Sequence, residues 1–200
     1  MSRQDTPLKR FWYEFRENKI AVVALSVVVV LMLLALFASL VSPQNPYDLA
    51  NLSLMDSRRP PGFVGTGGYI HLLGTDPQGR DLLSAIFYGL RISIQIGLAA
   101  GFVSLSIGAA LGILAAYKGG RIESLIMRLV DLQLSFPAIL LALVIVALLG
   151  QGKVQLISAL VAAQYAYFAR TAYGAAKAEK GKDYIEAAVA TPLGSRLVVL

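Results

Sequence analysis

No cysteine occurs among the 200 residues, and histidine occurs once, at His71. Disulfides and thiolate metal sites are thereby excluded, and a single imidazole cannot build a histidine-rich metal centre. Charge is scarce as well: Asp, Glu, Lys and Arg make up 15% of the chain, against 56% hydrophobic residues. That balance belongs to a membrane protein, whose main solvent is lipid. A formal charge of +6 would point to nucleic acid in a soluble chain, but here the position of each charge relative to the apolar runs carries the information.

Catalytic signatures are missing too. A Walker phosphate loop needs G-x-x-x-x-G-K-[ST], so that backbone amides wrap the phosphates and a hydroxyl reaches magnesium. The nearest approach, "AKAEKGKD" at Ala176 to Asp183, lacks the first glycine and ends in Asp where the hydroxyl is required. "GQGK" at Gly150 fails, and so does "GTGGYI" at Gly65, which opens no βαβ unit. One histidine supports no Ser-His-Asp constellation. The chain therefore reads as non-enzymatic, with no cofactor and no metal.

Apolar length is what the chain has. Four runs carry no Asp, Glu, Lys or Arg: residues 20–41, 92–117, 132–152 and 154–169. The first is long enough at 1.5 Å rise to cross a hydrocarbon core of about 30 Å. It exceeds the apolar core of a signal peptide and is followed by Ser42, Pro43 and Gln44, not by a small-residue cleavage site. Four transmembrane helices are predicted. An ion-coupled carrier would place acids or bases at bilayer depth, and these runs hold only mild polar residues such as Ser104, Ser106, Gln133, Ser158 and Gln164. Energy supplied by a partner is the better expectation.

Lysine and arginine set the orientation, because they are retained on the cytoplasmic side. With the N-terminus inside, thirteen of the 18 are cytoplasmic, and only Arg58, Arg59, Arg80, Arg91 and Lys153 fall outside. Both ends of the chain are then cytoplasmic, and the high pI follows from the same bias. Before the first span, Leu8, Phe11, Trp12 and Phe15 recur on one helical face among Lys9, Arg10 and Arg16, as in an amphipathic helix lying among lipid headgroups. A disordered basic tail is the alternative.

From Ser42 to Gln78 the chain is rich in Pro, Gly, Asn and Asp, which predicts an ordered loop and not a second domain. At Arg80 a helix is expected to begin near the interface and run into or beside the second span, with Asp76 helping to cap it. Within that span Gly97, Gly101, Gly108 and Gly112 share one stripe and contain G-x-x-x-G twice, the spacing that lets helix backbones approach in lipid. After the fourth run, "DYIEAA" reads as a short helix before Pro192.

Three blocks, "LLGTDPQGRDLLSAIFYGLRIS" (Leu72 to Ser93), "YKGGRIESLIMRLVDLQLSFPAILLAL" (Tyr117 to Leu143) and "DYIEAA", make the chain resemble the C-type permease subunits of dipeptide and oligopeptide ATP-binding cassette importers. The resemblance covers nearly the whole chain in the family's order. It implies an all-α membrane protein with the type I importer transmembrane fold, in a bacterial inner membrane. It implies as partners a second permease subunit, two ATPase subunits that do the hydrolysis, and a substrate-binding protein. Nucleic acid is not among them, and lipid is. The expected division is a cytoplasmic segment 1–19, a first span 20–41, an extracytoplasmic loop with an interfacial helix 42–91, the start of the permease core 92–170, and a cytoplasmic coupling loop 171–200. Asp183, Tyr184, Ile185, Glu186, Ala187 and Ala188 match the family's "EAA" loop and would form the helix that docks on an ATPase subunit. The alternative for that segment is a surface-bound one, held to anionic lipid by Lys177, Lys180 and Lys182. Two departures stand out: Pro192 occupies the family's glycine position, with Gly194 two residues on, and the family continues into further spans, so a partial subunit is expected. Peptides are the leading substrate class, although nickel chelates, opines and glutathione-like compounds use similar permeases. A non-transporting membrane scaffold is the competing function.

Overall fold

The computed structural model describes residues 7–182. Its regular structure comprises seven α-helices, two single-turn 3-10 helices (Leu49–Asn51 and Leu54–Asp56) and one β-hairpin of two-residue strands: α1 (Pro7–Glu17), α2 (Lys19–Leu36), α3 (Ala38–Val41), β1 (Phe63–Val64), β2 (Ile70–His71), α4 (Leu82–Lys118), α5 (Gly120–Leu134), α6 (Ala138–Leu149) and α7 (Lys153–Lys180). Two compact units divide between Gln95 and Ile96.

In the first unit, α1 stacks Phe11 on Phe15 and Trp12 on Phe15, with ring centroids 6.1 and 5.8 Å apart, and the Arg16 guanidinium lies over the Trp12 ring. Asn18 separates α1 from α2 because its side chain takes the amides of Ile20 and Ala21, the first-turn donors that no carbonyl can reach. Between α3 and α4 the loop folds on itself through polar contacts that leave few charges to solvent. Asp56 accepts from the amide (2.9 Å) and hydroxyl (2.7 Å) of Thr66, and the Thr75 hydroxyl donates to the Asp56 carbonyl. The Asp76 carboxylate takes the amides of Gln78 and Arg80 at 2.8 and 2.9 Å and the Arg80 guanidinium at 2.7 Å. β1 and β2 pair Phe63 with His71 and Val64 with Ile70 in antiparallel register.

The turn geometry requires glycine at two places. Gly74 (φ 81°) and Gly79 (φ 77°) lie in the left-handed region, and a Cβ on either would strike backbone, the Arg59 and Ser53 carbonyls respectively.

Helix starts and stops differ from the sequence expectation in two places, the cap of α4 and the run 132–152. Asp76 serves its own turn, and the cap of α4 is Asp81, whose carboxylate accepts the Ser84 amide at 2.7 Å. Of the two alternatives for the interfacial helix, the first holds: it runs into the second span as one continuous helix, α4, whose 37 residues at 1.5 Å rise measure about 55 Å, well beyond a hydrocarbon core. The run 132–152 is not one helix: α5 ends at Leu134 and α6 begins at Ala138, bent by 89°. Pro137 explains the break, since it has no amide to continue the ladder and disfavours helical geometry at Phe136.

The four spans counted from sequence therefore correspond, among the described residues, to two helices long and apolar enough to cross a membrane, α2 and α4, or three if α5 and α6 form one bent span. With 28 residues α7 has the length, but Gln155, Gln164 and Arg170 keep its composition too polar to be counted.

Candidate functional site

In the second unit α4, α5 and α7 converge on a small-residue core of Ala115, Met127, Val130, Ala166 and Ala169, with Leu111, Ile126, Tyr165 and Tyr173 packed around it. Glycine decides how close α4 and α7 come. A Cβ on Gly108 would overlap the Tyr165 carbonyl and the Phe168 Cβ, and one on Gly112 would overlap the Ala169 carbonyl and the Tyr173 amide. Two backbones in contact gain dispersion over the whole crossing, which in lipid replaces the hydrophobic drive. Gly97 and Gly101, the other half of the predicted stripe, have open space where a Cβ would stand. The stripe is thus split: its C-terminal half is occupied by α7, and at its N-terminal half a Cβ would have nothing within 4 Å among the described residues.

Most span hydroxyls bond within their own helix. Ser106 and Ser158 donate to the carbonyls four residues back, at 2.8 and 2.6 Å, an arrangement that satisfies a hydroxyl without a partner helix. Gln133 does reach across, its side-chain amide donating to the Ala162 carbonyl of α7 beside the α5–α6 break. Ser104 is fully buried, and its hydroxyl has no partner among the described residues.

Toward the end of α7 the contact turns from apolar to ionic. α4 stops at Lys118 because Gly119 and Gly120 adopt positive φ (68° and 57°), with the Gly119 amide closing on the Ala115 carbonyl. The last carbonyls of α4, on Ala116 and Tyr117, accept from the Lys180 ammonium at 3.1 and 2.9 Å. Such carbonyls have no intrahelical donor, and a cation suits the negative end of the helix dipole. Glu123 on α5 accepts the Lys177 ammonium at 2.6 Å and the Tyr173 hydroxyl. Asp131, two turns along α5, pairs with Arg170 at 3.0 Å. The pairings 123 with 177 and 131 with 170 run in opposite chain directions, so α5 and α7 are zipped antiparallel.

Sequence reasoning singled out the glycines and the lysines but not Glu123, Asp131 or Tyr173. The signal was there: two acids eight residues apart on one helix, and Arg170 and Lys177 seven apart on another, each pair on one face. Reading Lys177 and Lys180 as positive-inside markers, or as ligands of anionic lipid, hid their role as partners of α5 and the end of α4. Asp183, Tyr184, Ile185, Glu186, Ala187 and Ala188, the expected coupling helix, lie outside the described residues. α7 with its ionic contacts is what leads into them.

Comparison with known proteins places two family regions on this chain. Residues 6–61 match the N-terminal TM domain of oligopeptide transport permease C, and residues 108–199 match the binding-protein-dependent transport system inner membrane component. Among curated relatives, the di/tripeptide transport system permease protein of Pseudomonas aeruginosa is 38% identical over 182 residues, 91% of this chain and 59% of that protein. The dipeptide transport system permease protein of Escherichia coli K12 is also 38% identical, over 91% of this chain and 60% of its own. The oligopeptide transport system permease protein of Bacillus subtilis is 32% identical over 86% of this chain and 53% of that protein. The chain thus spans between 53% and 60% of the length of these relatives.

Proposed function

The chain belongs to the C-type permease subunits of binding-protein-dependent peptide transport systems, multi-pass proteins of the inner membrane, and on that premise we propose that it forms part of the membrane pathway of an ATP-driven importer of small peptides. A second permease subunit completes the pathway. Two ATPase subunits hydrolyse the ATP, and a substrate-binding protein delivers the peptide from outside. Both ends of this chain face the cytoplasm, and the loop 42–81 faces the binding protein. Asp183–Ala188 is the coupling helix: its alanines keep it slim enough for a groove, and Glu186 offers a carboxylate to donors on the ATPase.

One observation carries the reading. Both family regions occur on one chain in the relatives' order, and the second region begins at the Gly108–Gly112 crossing, spans the α5–α7 zipper and runs through the "EAA" segment. The spans also lack the buried acid or base that an ion-coupled carrier would need.

The test is reconstitution of the full-length protein in vesicles with its partner permease, the ATPases and the binding protein, using dialanine as probe. ATP hydrolysis stimulated by the dialanine-loaded binding protein, together with uptake of labelled dialanine, is the expected result. Glu186→Lys should abolish the stimulation while insertion continues. A complex whose hydrolysis ignores the loaded binding protein and other loaded peptides would sink the permease reading in favour of a scaffold.

A further inference from the structure

Resting on the permease reading above, we propose that Glu123 is a positioning residue. It locks the end of α7 to the α4–α5 turn, so that displacement of Asp183–Ala188 by an ATPase subunit reaches the Gly108–Gly112 crossing as one rigid movement.

The crossing by itself cannot transmit an axial push. Gly108 and Gly112 let the α7 backbone sit directly on α4, but a glycine surface is smooth, and nothing in it prevents α7 from sliding along its own axis. Some contact must fix the register. On α7, Ala166, Ala169, Tyr173, Lys177 and Lys180 fall within a quarter-turn of one another at 100° per residue, so the face that enters the core continues directly into the ionic contacts. Tyr173 belongs to both ends of that face. Its amide lies where a Gly112 Cβ would be, and its hydroxyl donates to Glu123.

Glu123 is the shared acceptor. It holds Tyr173 and Lys177, one turn apart on α7, while Lys180 reaches past it to the last carbonyls of α4. The turn that carries Glu123 is itself held in shape by Gly119 and Gly120 at positive φ. The other ion pair on this seam, Asp131 with Arg170, has both side chains about half exposed, at 54% and 52%; Lys177 is as exposed, at 50%, but the Glu123 side chain is 19% exposed. Screening therefore weakens the first more than the second, by the difference at the carboxylate. Gln133 on the Ala162 carbonyl fixes α7 beside the α5–α6 break, and Glu123 is thus the residue whose loss would free the other end of α7 without opening the alanine core.

These 200 residues hold no cysteine, and any cysteine elsewhere in the full-length protein or its partners is first replaced by serine. Spin labels at Arg121→Cys and Ala178→Cys, both on exposed positions, report the separation of the α5 start from the α7 end in the assembled full-length complex. One narrow distance, unchanged between nucleotide-free and vanadate-trapped states, is expected. Glu123→Gln should broaden that distance and return dialanine-stimulated ATP hydrolysis to its basal rate, with basal hydrolysis and complex yield kept. Tyr173→Phe, which removes one hydroxyl, should give a smaller version of the same change. The exchange Glu123→Lys with Lys177→Glu should restore both readouts, which a role in folding alone would not require. A narrow distance and full stimulation in Glu123→Gln overturn the proposal, as does an exchange that restores neither. If the parental complex shows no stimulation, the permease reading has failed, and the distances still judge the lock.

Discussion

At His71 the imidazole is fully buried beside the Phe63 and Tyr69 rings, with Nδ1 3.0 Å from the equally buried Asp81 carboxylate. Asp81 also takes the Ser84 amide at 2.7 Å, and its own amide donates to the Gln44 side chain at 2.7 Å. Asp81 therefore starts α4 and anchors β2 through its carboxylate, and draws in the segment after α3 through its amide. Asp81→Ala leaves a buried imidazole and a helix-start amide without their acceptor, a cost of about 3 kcal/mol. We expect rapid protease cleavage between residues 42 and 81 and a lower unfolding temperature in detergent. Parental resistance in that variant would show that the pair does not hold the loop. Asp56 and Asp76 add a pH dependence of known sign. Burial raises both carboxyls, but the Thr66 hydroxyl and amide outweigh it at Asp56, and the Arg80 and Gln78 amides with the Arg80 guanidinium outweigh it at Asp76. Both therefore ionise below the ordinary carboxylate value of about 3.9. A depressed acid stabilises fully above its unfolded pKa and loses that contribution as pH falls through the folded one. Loop protection measured by protease or hydrogen exchange should be flat from neutral pH to about 5 and fall below about 4. Asp56→Asn should start lower and fall less. Protection that is lost already between pH 7 and 5 would assign the dependence to other groups.

Among the elements, those set by local chemistry were legible and those set by competition were not. Glycine, proline and asparagine punctuate the 42–81 loop openly, and the aromatic periodicity of α1 needs nothing beyond the chain itself. The α4 cap was placed on Asp76 because two acids stand five residues apart, and only the loop's own demand for an acceptor at Gln78 and Arg80 decides between them. Charge counting ran across Pro137, since an uncharged run looks continuous to a hydropathy argument although the proline ends α5. The glycine stripe was legible as spacing, but spacing says nothing of which half is covered. That half can be tested. Gly108→Leu and Gly112→Leu insert a side chain where α7 backbone already lies, an overpacking cost of about 1–3 kcal/mol or more. They should lower the thermal stability of the isolated subunit. Gly97→Leu and Gly101→Leu meet open space here, so the isolated subunit should keep its unfolding temperature, and any loss should appear only as lower yield of the assembled complex. Equal destabilisation by all four would mean that the stripe packs along its whole length within one subunit.

For the whole molecule, orientation rests on charges that the structure has now partly reassigned. The inside tally includes Arg170, Lys177 and Lys180, each of which bonds to α5 or to the end of α4, so these cations have a second reason to be where they are. Removing all three from the tally leaves ten inside against five outside, and the bias keeps its sign. The outside set weakens further on inspection, because Arg80 is paired with Asp76 and Arg59 lies over the Phe63 ring with its guanidinium on the Met55 carbonyl. Those cations are fixed by the loop's own fold. The topology therefore predicts opposite labelling at two exposed turns. A cysteine at Gln78 should react in intact cells with a membrane-impermeant maleimide, and one at Arg121 should react only after the membrane is opened. Residues 1–200 add no other thiol, and any cysteine elsewhere in the full-length protein is replaced by serine beforehand. Reversal at both sites would invert the topology and place Asp183–Ala188 on the side without ATP. Coupling to an ATPase through that segment would then be ruled out, however closely its sequence follows the family.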